Sequence, residues 1–174
     1  MAAGGAEAVP GEWVLLSYRL PREPSTPRIA LWRRLKALGV AQVADGLVAL
    51  PADARTREQM EWLAELVLEG GGTSAIWLAR PATFGQEHAL ATAMAAARAV
   101  EYIELAAAAQ AASDRAGPGR GRAVTRLRRQ WREITRRDYF PPAERDQAGA
   151  ALLALGEVAA RTLPTGPVRS GLPQ

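Results

Sequence analysis

The 174 residues contain no cysteine, which excludes disulfides, thiolate metal sites and cysteine nucleophiles and fits a reducing compartment. Histidine occurs once, so a multi-histidine metal site or a Ser-His-Asp triad would have to use His88, which reads as a surface residue at a helix start. No apolar run approaches the roughly 20 residues that span a bilayer. The opening MAAGGAEAVPG has neither the basic start nor the apolar stretch of a signal peptide. The expectation is a cytoplasmic chain with no membrane partner, no catalytic residue, no metal site and no cofactor.

What is present is a folded chain with one uneven feature. Hydrophobic residues make up 48% and charged residues 23%, the balance of an ordinary globular protein. Residues 1–80 carry nine basic and nine acidic side chains, whereas residues 120–137 carry eight arginines against Glu133 alone. The net charge of +4 therefore resides in that one segment, and such local asymmetry points to an anionic partner.

Apolar periodicity and turn residues set out the remaining organisation. EWVLLSYRLP reads as a strand from Trp13 to Arg19, followed by a stiff proline-containing loop. Thr26 as N-cap and Pro27 at the first helical position start a helix with Ile29, Trp32, Leu35 and Leu38 at helical spacing, stopped by Gly39. Two short apolar runs flank Asp45-Gly46, the pair that favours a type I′ hairpin. A second helix, with Thr56 as its cap and Met60, Leu63 and Val67 on one face, leads through Gly70-Gly71-Gly72 into the strand TSAIWLA. The order β-α-β-β-α-β is that of a ferredoxin-like unit. Trp13, Trp32, Trp62 and Trp77 sit in apolar periodic stretches and are expected in the core or an interface.

An alanine-rich helix is expected over 86–112, an arginine-rich helix over 122–137 after the break GPGRG, and a last helix over 143–162 after Pro141-Pro142. The fold class is thus α+β: a ferredoxin-like βαββαβ domain over 12–80 and a three-helix C-terminal extension over 81–163. Tails are expected at 1–11 and 164–174.

On a helix at 100° per residue, Val124, Leu127, Trp131 and Ile134 fall within an arc of about 80°. Arg122, Arg126, Arg128, Arg129, Arg132, Arg136 and Arg137 cover about half the circumference on the other side. These seven are the candidate nucleic-acid-binding residues. The competing reading is a solvated face in which Glu133 pairs with Arg129 and Arg137, and acids such as Glu101, Glu104 or Asp138 quench more. Arg19, Arg22 and Arg28 lie near the start of the first helix, where a phosphate or another oxyanion could be held.

The stretch WVLLSYRLPREPSTPRIALWRRLKALGVAQVADGLVALP, with TREQMEWLAELVLEGGG, EYIEL and RRDYFPP further on, resembles the N-terminal domain family of ChrB, a regulator associated with bacterial chromate resistance. The resemblance runs from about Trp13 to Leu163 and implies a DNA-binding transcriptional regulator of chromate efflux genes with chromate as effector. The first half is also similar to the ferredoxin-like domain of the phenylacetate-degradation repressor and of small CRISPR-associated nucleases. Those nucleases carry an aspartate after the first strand, where this chain has Ser17-Tyr18-Arg19, which disfavours cleavage. Members of the ChrB family carry a second domain, so a separate sensing chain is a further expected partner, and whether this chain binds chromate itself stays open. Ferredoxin-like sheets often pair, which adds a homodimer to the expected partners. The alternatives are a protein-interaction module docking an acidic partner and, less favoured, a metal-dependent nuclease.

Overall fold

The computed structural model describes residues 11–115 and 119–161. Along the chain run β1 (Trp13–Arg19), α1 (Thr26–Leu38), β2 (Ala41–Ala44), β3 (Leu47–Pro51), α2 (Ala54–Glu69), β4 (Thr73–Ala79), α3 (Phe84–Asp114), α4 (Arg120–Thr135) and α5 (Glu144–Arg161). The four strands form one sheet in the order β2-β3-β1-β4, with every neighbouring pair antiparallel. This is the ferredoxin-like arrangement expected from the order of elements, and a helical C-terminal part follows it. The expected tails, except for Gly11, and part of the GPGRG break lie outside the described residues.

Residues through Ala97 together with Arg137–Pro141 form one compact unit, and Arg98–Arg136 with the chain from Pro142 form a second. Strand alternation builds the first unit's core. Val14 and Leu16 of β1, Val48 and Leu50 of β3, and Met60, Leu63 and Val67 of α2 are all fully buried together. Leu90 and Met94 from the start of α3 join the same cluster, and Trp13 stacks on Phe140 with ring centroids 5.9 Å apart.

Several local expectations are corrected. The buried residues of α1 are Leu31 and Leu35, while Ile29 and Trp32 are 47% and 59% exposed. A run spaced by three drifts about 60° per step around a helix, so residues 29, 32, 35 and 38 do not form one stripe. Leu31, Leu35 and Leu38 do, spanning about 60°. Trp62 and Trp77 are likewise 44% and 57% exposed, so of the four tryptophans expected in the core or an interface only Trp13 lies in the core. Cationic side chains cover two of the exposed indoles: the Arg34 guanidinium lies 4.2 Å from the Trp62 ring centroid and the Lys36 ammonium 5.0 Å from that of Trp32.

The caps also move. Ser25 rather than Thr26 is the N-cap of α1, because Ser25 O already accepts the Ile29 amide at 3.1 Å and Thr26 is helical. Gly39 ends the helix in the left-handed region at φ 67°, as its position predicts. The β2–β3 hairpin exists, but a type I′ turn needs positive φ at both central residues. Among the described residues no non-glycine has one; Gly46 alone does here, at 70°, and the ladder shifts register between Gln42 and Ala44. Gly46 O accepts the Tyr18 amide at 2.7 Å, and a Cβ on Gly46 would fall 2.5 Å from the Tyr18 carbonyl oxygen. The hairpin therefore closes against β1 through a residue that only glycine can supply.

Helix α2 is capped by Asp53, and Thr56, expected as its cap, is the third helical residue. Asp53 Oδ1 accepts the Thr56 amide at 2.7 Å, while the Asp53 amide donates to Thr56 Oγ1 at 2.9 Å, a reciprocal capping box. Thr56 Oγ1 also donates to Pro51 O at 2.7 Å, which ties the helix start to the end of β3. The hydrogen bond from the Thr56 amide, with the charge of Arg55, holds the Asp53 carboxyl below its ordinary range against a smaller opposing effect of burial. A depressed carboxyl pKa stabilises the fold fully above the unfolded value near 4, and this contribution is lost as pH falls through the folded value. Asp53→Ala is therefore expected to lose about 1 kcal/mol of unfolding free energy at neutral pH. In urea titrations its deficit against the parent chain should shrink as pH falls below about 4.

Candidate nucleic-acid interface

Helix α4 is held by three fully or nearly buried side chains, Val124, Leu127 and Ile134, with Trp131 half-buried between them. Val124 and Leu127 pack against Ala109 of α3 and against Leu152 and Leu155 of α5. Ile134 packs with Tyr102, Leu105 and Ala148, and the Trp131 ring tilts against Tyr102 at 5.3 Å between centroids. Small residues on α5 make room for the large ones of α4. A Cβ on Gly149 would come within 3.3 Å of the Trp131 ring, so the indole occupies the space that a side chain there would need.

With that stripe packed, Arg122, Arg126, Arg128, Arg129, Arg132 and Arg136 are exposed. The helix runs from Arg120 to Thr135 rather than over 122–137, so Arg136 is its C-cap and Arg137 lies in the following turn, half-buried and counted with the first unit. Thr135 Oγ1 donates back to Trp131 O at 3.0 Å and to Arg132 O at 3.2 Å. Such back-bonding competes with continued helix and accompanies its end here.

Glu133 Oε1 meets Arg129 Nε at 3.2 Å, and with side chains 56% and 78% exposed the pair is worth roughly 0–1 kcal/mol. Glu101, considered as a quenching acid, pairs with the buried Arg98 at 2.8 Å, one turn along α3. Among the described residues no ion pair engages Arg122, Arg126, Arg128 or Arg132. Arg128 extends over α5, its Nη2 3.3 Å from where a Cβ on Gly156 would stand.

Two further arginines join this region. Arg115, Arg120 and Arg126 line a groove of about 350 Å³ floored by Ala108, Ala111, Ala112 and Ala123. Arg120 Nη2 also donates to Ser113 O at 3.1 Å, which fixes the guanidinium against the end of α3. The helical wheel drawn over 122–137 could not include either residue. The signal that was available is the run of eight arginines, which begins at Arg120.

The second candidate group, in the first unit, is less gathered. Arg19, Arg22 and Arg28 are all exposed. Of the three, Arg28 alone borders a cavity of about 630 Å³, lined also by Tyr18, Leu20, Ser25, Ile29, Trp32 and Arg33. Burial, then the nearby charge of Asp45, pushes the Tyr18 phenol above its ordinary range, so it stays a neutral hydroxyl. His88 is exposed and lies 3.4 Å from Thr92 Oγ1. Among the described residues no three of His, Cys, Asp and Glu gather as metal ligands, and no helix is long and apolar enough to cross a membrane.

The profile of the family described as Protein ChrB, N-terminal, matches residues 28–115, ending before α4. The chain is 32% identical over 134 residues to Protein ChrB of Cupriavidus metallidurans, an alignment covering 74% of this chain and 40% of that protein. The aligned part is thus about two fifths of the relative's length. No solved structure matches the chain.

The two faces of α4 are expected to separate cleanly in unfolding experiments. Leu127→Ala and Ile134→Ala should each cost about 2–5 kcal/mol, as buried truncations do. Arg132→Gln should stay within about 0.5 kcal/mol of the parent chain.

Proposed function

The chain belongs to the ChrB N-terminal family, and from that premise we propose that it is a DNA-binding transcriptional regulator that grips the phosphate backbone with the arginine face of α4. The observation that carries this reading is the exposure of six guanidiniums at α4, opposite a buried apolar stripe, four of which, Arg122, Arg126, Arg128 and Arg132, take part in no ion pair among the described residues. Arginine suits the task because its planar fork donates two parallel hydrogen bonds to phosphate oxygens and stays charged at any physiological pH. Phosphate contacts supply affinity and register without sequence information. Family resemblance adds chromate efflux genes as the regulated set and chromate as the signal. For such an oxyanion Arg28, at the mouth of its cavity, is better placed than Arg19 or Arg22.

An acidic protein partner is the second reading, and the same arginines would serve it. Two properties separate the readings: counterion release from a polyelectrolyte, and indifference to sequence when only phosphates are touched. With four or five phosphate contacts, log K against log salt on duplex DNA should fall with a slope of about −4. Changing Arg122, Arg126 and Arg132 together to glutamine should make the slope shallower by about 3, and the loss should be equal on unrelated sequences. Fluorescence anisotropy with labelled duplexes from low to moderate salt reads both quantities. Absence of binding at low salt, or an unchanged slope in the triple variant, rejects the proposal; retention of an acidic protein with no DNA affinity supports the second reading.

A further inference from the structure

The sheet has two edges of opposite character. At one end β2 is four residues long and meets β3 with a register shift between Gln42 and Ala44, the kind of short, irregular edge that resists pairing. At the other end β4 is seven residues long and pairs with β1 in unbroken register from Thr73↔Arg19 to Ala79↔Trp13. Its sequence, TSAIWLA, contains no proline, no glycine and no ionisable side chain. Among the described residues no strand pairs with its outer edge. The apolar residues Trp77 and Leu78, on opposite faces of the sheet, are 57% and 48% exposed. The strand itself carries no charge, proline or bulge of the kind that usually blunts an edge.

We propose that β4 is a self-association edge, pairing antiparallel with β4 of a second copy of this chain to continue the sheet through a two-fold axis. An antiparallel edge is self-complementary, because the same strand read in both directions offers its N–H and C=O groups to itself. Neutrality makes the match possible: over about 23 Å of strand no like charges are brought together. The neighbouring helix fits as well. Ser74 Oγ donates to Ala64 O at 3.1 Å, which identifies the flank of α2 that lies along β4. At 100° per residue Arg57, Glu61, Ala64 and Leu68 share that flank within about 60°. Leu68 is 57% exposed, and Arg57 and Glu61 are exposed with opposite signs. Two copies of such a flank related by a two-fold axis bring an apolar residue and unlike charges together instead of repelling.

Sedimentation equilibrium of the whole chain over the micromolar range tests this and does not depend on DNA binding. A species of twice 18.6 kDa is expected. Ala75→Lys and Leu78→Lys should each give a monomer with unchanged far-ultraviolet circular dichroism, while Val43→Lys, at the β2 edge, should remain dimeric. Should either β4 variant fail to fold, amide exchange of the parent chain decides. Alternate amides within 73–79 should be protected in the dimer and should lose that protection on dilution to the monomer. A monomer throughout, a dimer indifferent to both β4 lysines, or a dimer whose outward β4 amides exchange freely overturns the proposal. A contact with a different protein's strand would appear as a monomer that protects these amides only in a mixture.

Discussion

Everything distinctive about the second unit follows from burying one narrow stripe. Val124, Leu127 and Ile134, with half of Trp131, are removed from water against α5 and the latter part of α3, which gains on the order of 6–10 kcal/mol gross. Against this stands the repulsion between arginines one turn apart, such as Arg122 with Arg126 and Arg128 with Arg132, at a few tenths of a kcal/mol per pair. The apolar term exceeds the electrostatic one several-fold. The guanidiniums therefore point outward as a consequence of the core, and a helix of poor intrinsic charge balance is tolerated because tertiary packing holds it.

The two units treat their cations differently. In the first, Arg34 lies over Trp62, Lys36 near Trp32 and Arg55 5.7 Å from the Tyr139 centroid, so several cationic heads already cover aromatic faces. On α4 the single tryptophan is turned into the core and packs on Tyr102. Arg122, Arg126, Arg128 and Arg132 are left to solvent, and Arg129 meets the Glu133 carboxylate. Basic residues of one composition thus have two fates, decided by whether the aromatic ring sits on the exposed or the buried side of its helix.

Element order was legible in the sequence because it depends on strong punctuation: Gly39, Asp45-Gly46, Gly70 to Gly72 and Pro141-Pro142 mark breaks that packing has no reason to override. The inward face of α4 was legible for a similar reason, since four large apolar residues among arginines allow one orientation. The first helix was harder to read. Apolar residues at 29, 31, 32, 35 and 38 support two overlapping stripes, and the sheet selects Leu31 and Leu35 over Ile29 and Trp32. The start of α2 was misread because a threonine at the third helical position serves a capping box as well as an N-cap threonine would. Only the bond from Asp53 tells them apart. The exposure of Trp77 depends on β4 being at an edge, which is a property of strand order and is carried by no local residue.

The shape of the charged surface bears on what kind of anion suits it. Sixteen helical residues extend about 24 Å, whereas charges in physiological salt are screened beyond about 8 Å. The two ends of the α4 row therefore act almost independently, and a small oxyanion bound at one end engages the guanidiniums of that end alone. A polymer with a charge every 1.7 Å or so of its axis engages the whole row at once and releases counterions along its length. An exposed, extended array without a closed cavity favours a polyanion over a small oxyanion. For a small oxyanion the cavity beside Arg28, with its apolar wall and the neutral Tyr18 hydroxyl, has the more suitable form.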